Sequence, residues 1–389
     1  MRDVIPAATL VLAEILTVAL GGMLMYRLVS GNIIKRTVLA KAVRRERPGD
    51  PWRAIAFALH FFWFEALKKR LATSDHRRPE RSPYGIPAAI ALLSLFPILV
   101  PRLFADSPAA FDGARAYEHV RHLVEIGPRP SASDGIRRAQ AYMIGQLKSY
   151  GCPVEEHDFH GPTPLGNLAM KNIVVKIPGT SQGVVLYATH YDTVRLPNFV
   201  GADDGGSGTG TMLELARLFC SRKNSLNVWI VFFDGEEAQG HWTDKASIQW
   251  KNDGSNNTYG SREMAAQMAL SGDLQRTKAM ILADMIGPAK VRIRRDTGST
   301  PWLTDFIWDT AAELGYKNNF VNEAYAVGGD DHFSFIRRGV AGCDLIDFSV
   351  RDTYWHTPED TLDKVDPQSL AIVGQVLART LPRFEKKFH

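Results

Sequence analysis

The run Phe232-Phe233-Asp234-Gly235-Glu236-Glu237 ends an apolar stretch with two adjacent carboxylates. Such a pair at the end of a buried strand is costly unless each acid has a charge partner or a proton to move. Upstream stands His190-Tyr191-Asp192, directly after the strand-like 184–188. Between the two lies Gly201-Ala202-Asp203-Asp204-Gly205-Gly206-Ser207-Gly208, which opens a helix-like segment. Downstream follow Leu282-Ala283-Asp284 and Trp355-His356-Thr357. One His, one Asp, one Glu, one Asp and one His, mostly at strand ends, form an oxygen and nitrogen ligand set suited to zinc.

On these residues the chain resembles the zinc-dependent M28 aminopeptidase superfamily, and within it the glutaminyl-peptide cyclotransferases. The resemblance covers roughly residues 111–389. General superfamily marks are His190, Asp192, Asp204 before Gly-Gly-Ser-Gly, Glu236-Glu237, Asp284 and His356. More specific cyclase-like marks are Asp234-Gly-Glu-Glu-Ala, His241-Trp242 and Tyr259-Gly260-Ser261-Arg262. Asp330-Asp331-His332, the run Phe335 to Val340, and Trp355 directly before His356 complete them. Aminopeptidases of the superfamily more often carry Ser where Asp330 stands. Thr189 and Thr209 occupy the places of the bridge cysteines of animal cyclases, and the segment between Trp242 and Tyr259 is longer than theirs.

The resemblance implies roles. Asp204, Glu237 and His356 would hold a catalytic zinc with one position left open. His190 and Asp284 are the residues that hold a second zinc in the aminopeptidases, so one zinc is expected for a cyclase and two for an aminopeptidase. Asp192 would orient the His190 imidazole through its other nitrogen. Glu236, beside a ligand without being one, would be the general base and acid, with Asp330 and Asp284 completing its proton network. Trp242 and Trp355 would wall a small slot for the glutamine side chain. His332 reads as a structural hydrogen-bonding residue. Gly205, Gly206 and Gly208 suit a tight turn into a helix, since no phosphate-binding lysine follows. The expected activity is conversion of an N-terminal glutamine of peptides to pyroglutamate with release of ammonia. The alternative is hydrolysis of N-terminal residues by an M28-type aminopeptidase. A receptor-like ectodomain with a decayed site would have lost a ligand or Glu236, and none is lost.

An apolar share of 45% and a charged share of 23% are ordinary for a globular chain. The net charge of +4 is unevenly spread: residues 1–110 carry 16 of the 46 basic and 8 of the 42 acidic residues, leaving the remainder mildly acidic. The basic excess sits beside apolar segments, which argues for a membrane surface and against nucleic acid. Residues 4–29 form an apolar run of spanning length interrupted by Glu14, and 86–100 form a second, shorter one. The lysines and arginines between them place that loop in the cytoplasm, with Met1 and the enzyme on the far side. The apolar, aromatic stretch 52–67 could lie on the membrane surface. The reading is an N-terminal membrane segment over 1–106 and a zinc catalytic domain over 107–389, on the periplasmic or extracellular side. Cys152, Cys220 and Cys343, odd in number and far apart, read as buried small side chains with no disulfide framework.

The catalytic part alternates. Strand-like runs occur at 172–177, 184–188, 228–233, 280–284 and near 343–348. Helical patterns occur around 117–124 and 139–147, and at 207–220, 261–270, 301–314 and 367–380. This alternation predicts an α/β fold with a mostly parallel sheet flanked by helices on both faces, and the resemblance implies a single mixed sheet of the zinc aminopeptidase type. Ligands in such sheets gather beyond the carboxyl ends of the strands, where Asp192, Glu236, Glu237 and Asp284 all fall.

Overall fold

A computed structural model describes residues 110–245 and 256–388, all within the compact unit Arg102–His389. The apolar runs at 4–29 and 86–100, the interfacial stretch and the basic loop lie outside the described residues. Among those described, no helix is long and apolar enough to cross a membrane.

The elements in chain order are α1 (Gly113–Ile126), α2 (Asp134–Ser149), β1 (Val154–Thr163), β2 (Gly166–Ile177), β3 (Val184–His190), α3 (Gly206–Cys220) and β4 (Asn227–Phe233). They continue with α4 (Tyr259–Ser271), β5 (Thr277–Asp284), β6 (Ile293–Asp296), α5 (Pro301–Glu313), β7 (Phe320–Tyr325), α6 (His332–Ile336), β8 (Gly342–Ile346) and α7 (Pro367–Lys387). The main sheet has the order β1-β2-β4-β3-β5-β8. Its β4-β3-β5-β8 half is parallel, and β1 and β2 join antiparallel at one edge. The sheet is therefore mixed, and all five expected strands form.

Alternate residues along each strand point to opposite faces and build two cores. Val185, Tyr187, Ile230, Ile281 and Ala283 pack with residues of α1, α2, α3 and α7. Leu186, Ala188, Val231, Phe233 and Leu282 face α4 and α6 through Met264, Met268 and Phe335. Each fully buried Val, Leu or Ile side chain contributes about 1.5–3 kcal/mol. The helices start where side-chain caps dictate. Asp112 accepts from the amides of Ala114 and Arg115, Ser133 from Ile136, and Asp366 from Gln368.

One expectation is corrected. Cys152 and Cys220 are not free but form a disulfide that ties the chain after α2 to the end of α3; Cys343 alone remains free, and buried. A separation of 68 residues and an odd count hid the pairing, because adjacency here is created only by packing.

Candidate metal centre and active site

The chain crosses β3, then continues to β4 on one side and later to β5 on the other, so the carboxyl end of β3 is the point where strand order reverses. His190 is the last residue of β3 and Asp284 the last of β5, while Glu236 and Glu237 follow β4 by a short turn. Four of the five candidate ligand segments have a residue with positive φ beside or at the functional side chain, the His190 segment being the exception. These are Gly205 after Asp204, Gly235 before Glu236, Met285 after Asp284, and His356 itself at φ 53°. For His356 and Met285 this left-handed backbone is strained and must be held by its surroundings. Gly205 has φ 76°, and a Cβ there would sit 2.6 Å from the Asp192 carbonyl oxygen. A Cβ on Gly208 would meet Thr189 Oγ1 at 2.1 Å and the Ala283 carbonyl oxygen at 2.4 Å. Glycine thus lets the start of α3 press against the strand ends.

The carboxylate of Asp204 divides two buried triads. Its Oδ1 lies 3.3 Å from His190 Nε2, which is 3.1 Å from Asp284 Oδ1. Its Oδ2 lies 3.4 Å from His356 Nε2, which is 3.1 Å from Glu237 Oε2. Ligands at about 2.0–2.1 Å around a tetrahedral zinc stand about 3.3 Å apart, so both triads fit that ion. Asp204 Oδ2 and both Glu237 carboxylate oxygens are buried without a hydrogen-bond donor. The His190 triad instead closes on itself through the His190–Asp284 hydrogen bond. Asp192 braces both sides. It lies 3.5 Å from His190 Nδ1, and its carboxylate accepts the amides of Glu236 at 3.1 Å and Glu237 at 3.3 Å.

The electrostatics call for a cation. His190 is raised well above its ordinary value: burial opposes its charge, but Asp284, Asp192 and Asp204 outweigh burial. His356 is raised to about 9, burial again being overcome by Glu237 and Asp204. Burial and Asp204 push Glu237 up to about 7. Asp204 sits below the usual carboxylate range, because the two histidines overcome its burial. Protons gather on these groups where a divalent ion would displace them.

Glu236 is buried, and burial followed by Asp330 drives it well above the carboxylate range. Asp330 is raised likewise by burial, Asp284 and Asp331. The expected slot walls differ in setting. The Trp355 ring lies parallel to the His356 imidazole, with centroids 3.9 Å apart. Trp242 packs on Val194, Leu196 and Phe199 and donates its indole N–H to the Ala238 carbonyl at 3.2 Å. Phe199 meets His356 edge-on, with ring centroids 6.0 Å apart. His332 is fully buried with its Nε2 3.3 Å from Asp296 Oδ2, and neither ring nitrogen finds a hydrogen-bond partner among the described residues.

Several residues here have no local signal in the sequence. Asp344, on β8, is fully buried, and burial together with Asp330 drives it well above the carboxylate range. Asp360 accepts the amides of Asp203 at 2.8 Å and Asp204 at 3.0 Å. Arg129 is buried and donates only to backbone carbonyls, among them Val200 at 2.6 Å and Gly201 at 3.0 Å. The Trp-His-Thr-Pro-Glu-Asp run, with an acid four residues after His356, was the one available pointer to Asp360.

A profile of Peptidase family M28 matches residues 172–381. A glutaminyl cyclase from an Acidobacteriales bacterium, solved by crystallography, is 37% identical with a TM-score of 0.65, over 72% of this chain and 97% of that one. A glutaminyl-peptide cyclotransferase of Drosophila melanogaster is 24% identical over 81% of this chain and 94% of its own length. A Zn-dependent exopeptidase from Parabacteroides distasonis shares the fold at 24% identity and a TM-score of 0.64, over 71% of this chain and 99% of that one.

Proposed function

Because the chain belongs to Peptidase family M28, we propose that it is a zinc-dependent glutaminyl-peptide cyclotransferase acting on the N-termini of peptides and proteins. The observation that carries this reading is the buried acid Asp330, which together with burial raises the proton affinity of both Glu236 and Asp344. Peptide hydrolysis needs a group that takes a proton from water and returns it to the departing amine. Cyclisation needs one group that first takes a proton from the substrate's own amine and then returns it to a leaving amide nitrogen. Neighbouring buried acids of raised proton affinity hold one proton to give and one carboxylate to receive it.

Asp204, Glu237 and His356 would hold the zinc, and their donor-free oxygens favour this triad over the self-closed His190–Asp284 set. When bound, zinc polarises the γ-amide carbonyl of the substrate glutamine. Glu236 accepts a proton from the α-amine as its nitrogen bonds to the carbonyl carbon of the side-chain amide. It returns the proton to the amide nitrogen as the C–N bond breaks and ammonia departs. Trp355, Trp242 and Phe199 narrow the site around a bent side chain, which favours ring closure within one molecule. The experiment offers purified enzyme a Gln-initiated and a Leu-initiated peptide and counts bound zinc. Ammonia release with one zinc per chain supports the cyclase. Free leucine with two zincs means an aminopeptidase.

We further infer that residues 1–106 anchor the chain to a membrane, with the catalytic part on the non-cytoplasmic side. The basic stretch between the two apolar runs supports this, as does the Cys152–Cys220 disulfide, since such bonds persist in oxidising compartments.

A further inference from the structure

A row of aromatic rings leads away from the ligand His356, and each ring carries a cation. Trp355 meets Phe348 edge-on at 5.0 Å, and Phe348 meets Tyr325 edge-on at 6.3 Å. Over the three rings stand Lys245 at 5.2 Å, Arg351 at 5.7 Å and Arg294 at 3.7 Å from the centroids. All three rings are half-buried, and Arg351 is exposed. The row extends roughly 15 Å from His356 along its ring-to-ring path, the reach of four or five extended residues at about 3.3 Å each.

The neighbouring cations Arg292, just before β6, and Arg295, within it, are already matched, Arg292 with Glu323 and Arg295 with Asp305. Arg294 and Arg351 make no ion pair among the described residues. Lys245 donates to the Arg351 carbonyl and feels Asp352 as its acidic neighbour. A guanidinium resting on a ring face is held in place while its edge stays free to donate, and a carboxylate can take that edge through two parallel hydrogen bonds.

We infer that this row is a subsite for acidic side chains at positions two to five of the substrate, so that the enzyme favours an N-terminal glutamine followed by Asp or Glu. The inference rests on the cyclase reading of the site. Charge steering of this kind raises kcat/KM at low salt and fades as salt screens it.

The test uses the full chain and the peptides Gln-Ala, Gln-Ala-Ala-Ala, Gln-Glu-Glu-Ala and Gln-Lys-Lys-Ala. At low salt kcat/KM for Gln-Glu-Glu-Ala should exceed that for Gln-Ala-Ala-Ala by about tenfold, and Gln-Lys-Lys-Ala should fall below both. The ratio should shrink toward unity in about 0.5 M salt. In the double variant R294Q/R351Q most of the preference should vanish, read as the ratio of acidic to neutral peptide so that any general loss cancels. A flat series with active Gln-Ala overturns the subsite alone, whereas failure to cyclise Gln-Ala removes activity and subsite together. A preference that survives in the double variant belongs to other basic residues and also overturns the inference.

Discussion

Arg129 and Asp360 grip the same turn from its two ends: the guanidinium takes the carbonyls of Val200 and Gly201, and the carboxylate takes the amides of Asp203 and Asp204. Burial pulls Arg129 down to about 10, against Asp360, Asp192 and Asp204, which favour its charge. The turn carries the carboxylate shared by both triads, so its position sets the distance to His190 and to His356. Arg129→Met should leave buried carbonyls without donors, at about 1–3 kcal/mol for each unmet group. Arg129→Lys keeps the charge but loses the fork, and should weaken zinc binding about tenfold through the displaced Asp204. Denaturant unfolding and zinc competition check both; unchanged affinity in the Lys variant would show that the turn holds itself.

Ligand and base should separate cleanly. Asp204→Ala, Glu237→Ala and His356→Ala should each remove zinc and activity together, because each takes away one corner of the donor triad. Glu236→Gln should keep the metal and lose activity by about 10²–10⁴-fold, the usual reach of general acid and base catalysis. Asp192→Asn should cost about 10–100-fold, since Asp192 touches His190 and the Glu236 and Glu237 amides but no substrate. Metal analysis beside steady-state rates distinguishes the three classes. A fully active Glu236→Gln enzyme would remove the assigned base.

What was legible in the sequence was whatever repeats locally. Strands such as 184–188 and 228–233 are unbroken apolar runs because both sheet faces are covered by helices. The edge strand β1, Val-Glu-Glu-His-Asp-Phe-His-Gly-Pro-Thr, is largely exposed and carries no such run. The short pair β6 and β7 is likewise too brief and too polar to stand out. At the site, the candidate ligands announced themselves through paired acids and histidines at strand ends. Arg129 did not, because its partners lie up to 72 residues away and are all backbone carbonyls. Asp344 sits in an ordinary buried strand and acquires its role only when β8 pairs with β5 beneath Asp330.

The metal-free enzyme should lose stability as pH rises. Burial and neighbouring acids raise Glu237, Asp331 and Asp360 to about 7 and Asp234 to about 8. Above pH 4 the folded state therefore holds protons that the unfolded chain has already released, and stability falls with pH. His356, raised from 6.5 to about 9, acts in the same direction: its contribution is full below 6.5 and lost through about 9. Asp204 has the opposite sign but titrates only in acid. Bound zinc replaces the protons on Glu237 and His356, so its stabilisation should grow as pH rises. Melting of chelated and zinc-loaded protein from about pH 6 to about pH 9 checks this. Each kcal/mol lost is worth about 2–4 °C. A chelated enzyme most stable at pH 9 would contradict the assignment.

Membrane topology and the disulfide make one linked prediction. Reporter fusions after Ser30, Arg81 and Asp106 should read inside, inside and outside, because the basic residues lie between the two apolar runs. A catalytic part on the far side meets an oxidising environment, so Cys152 and Cys220 should be found joined in protein taken from cells under alkylation. Closing a loop of 68 residues stabilises the fold by about 2–5 kcal/mol, and replacing both cysteines by Ala should lower stability by that amount without touching the zinc ligands. A cytoplasmic reading for the last fusion, together with thiols that alkylate freely, would reverse the topology and move the enzyme to the other side of the membrane.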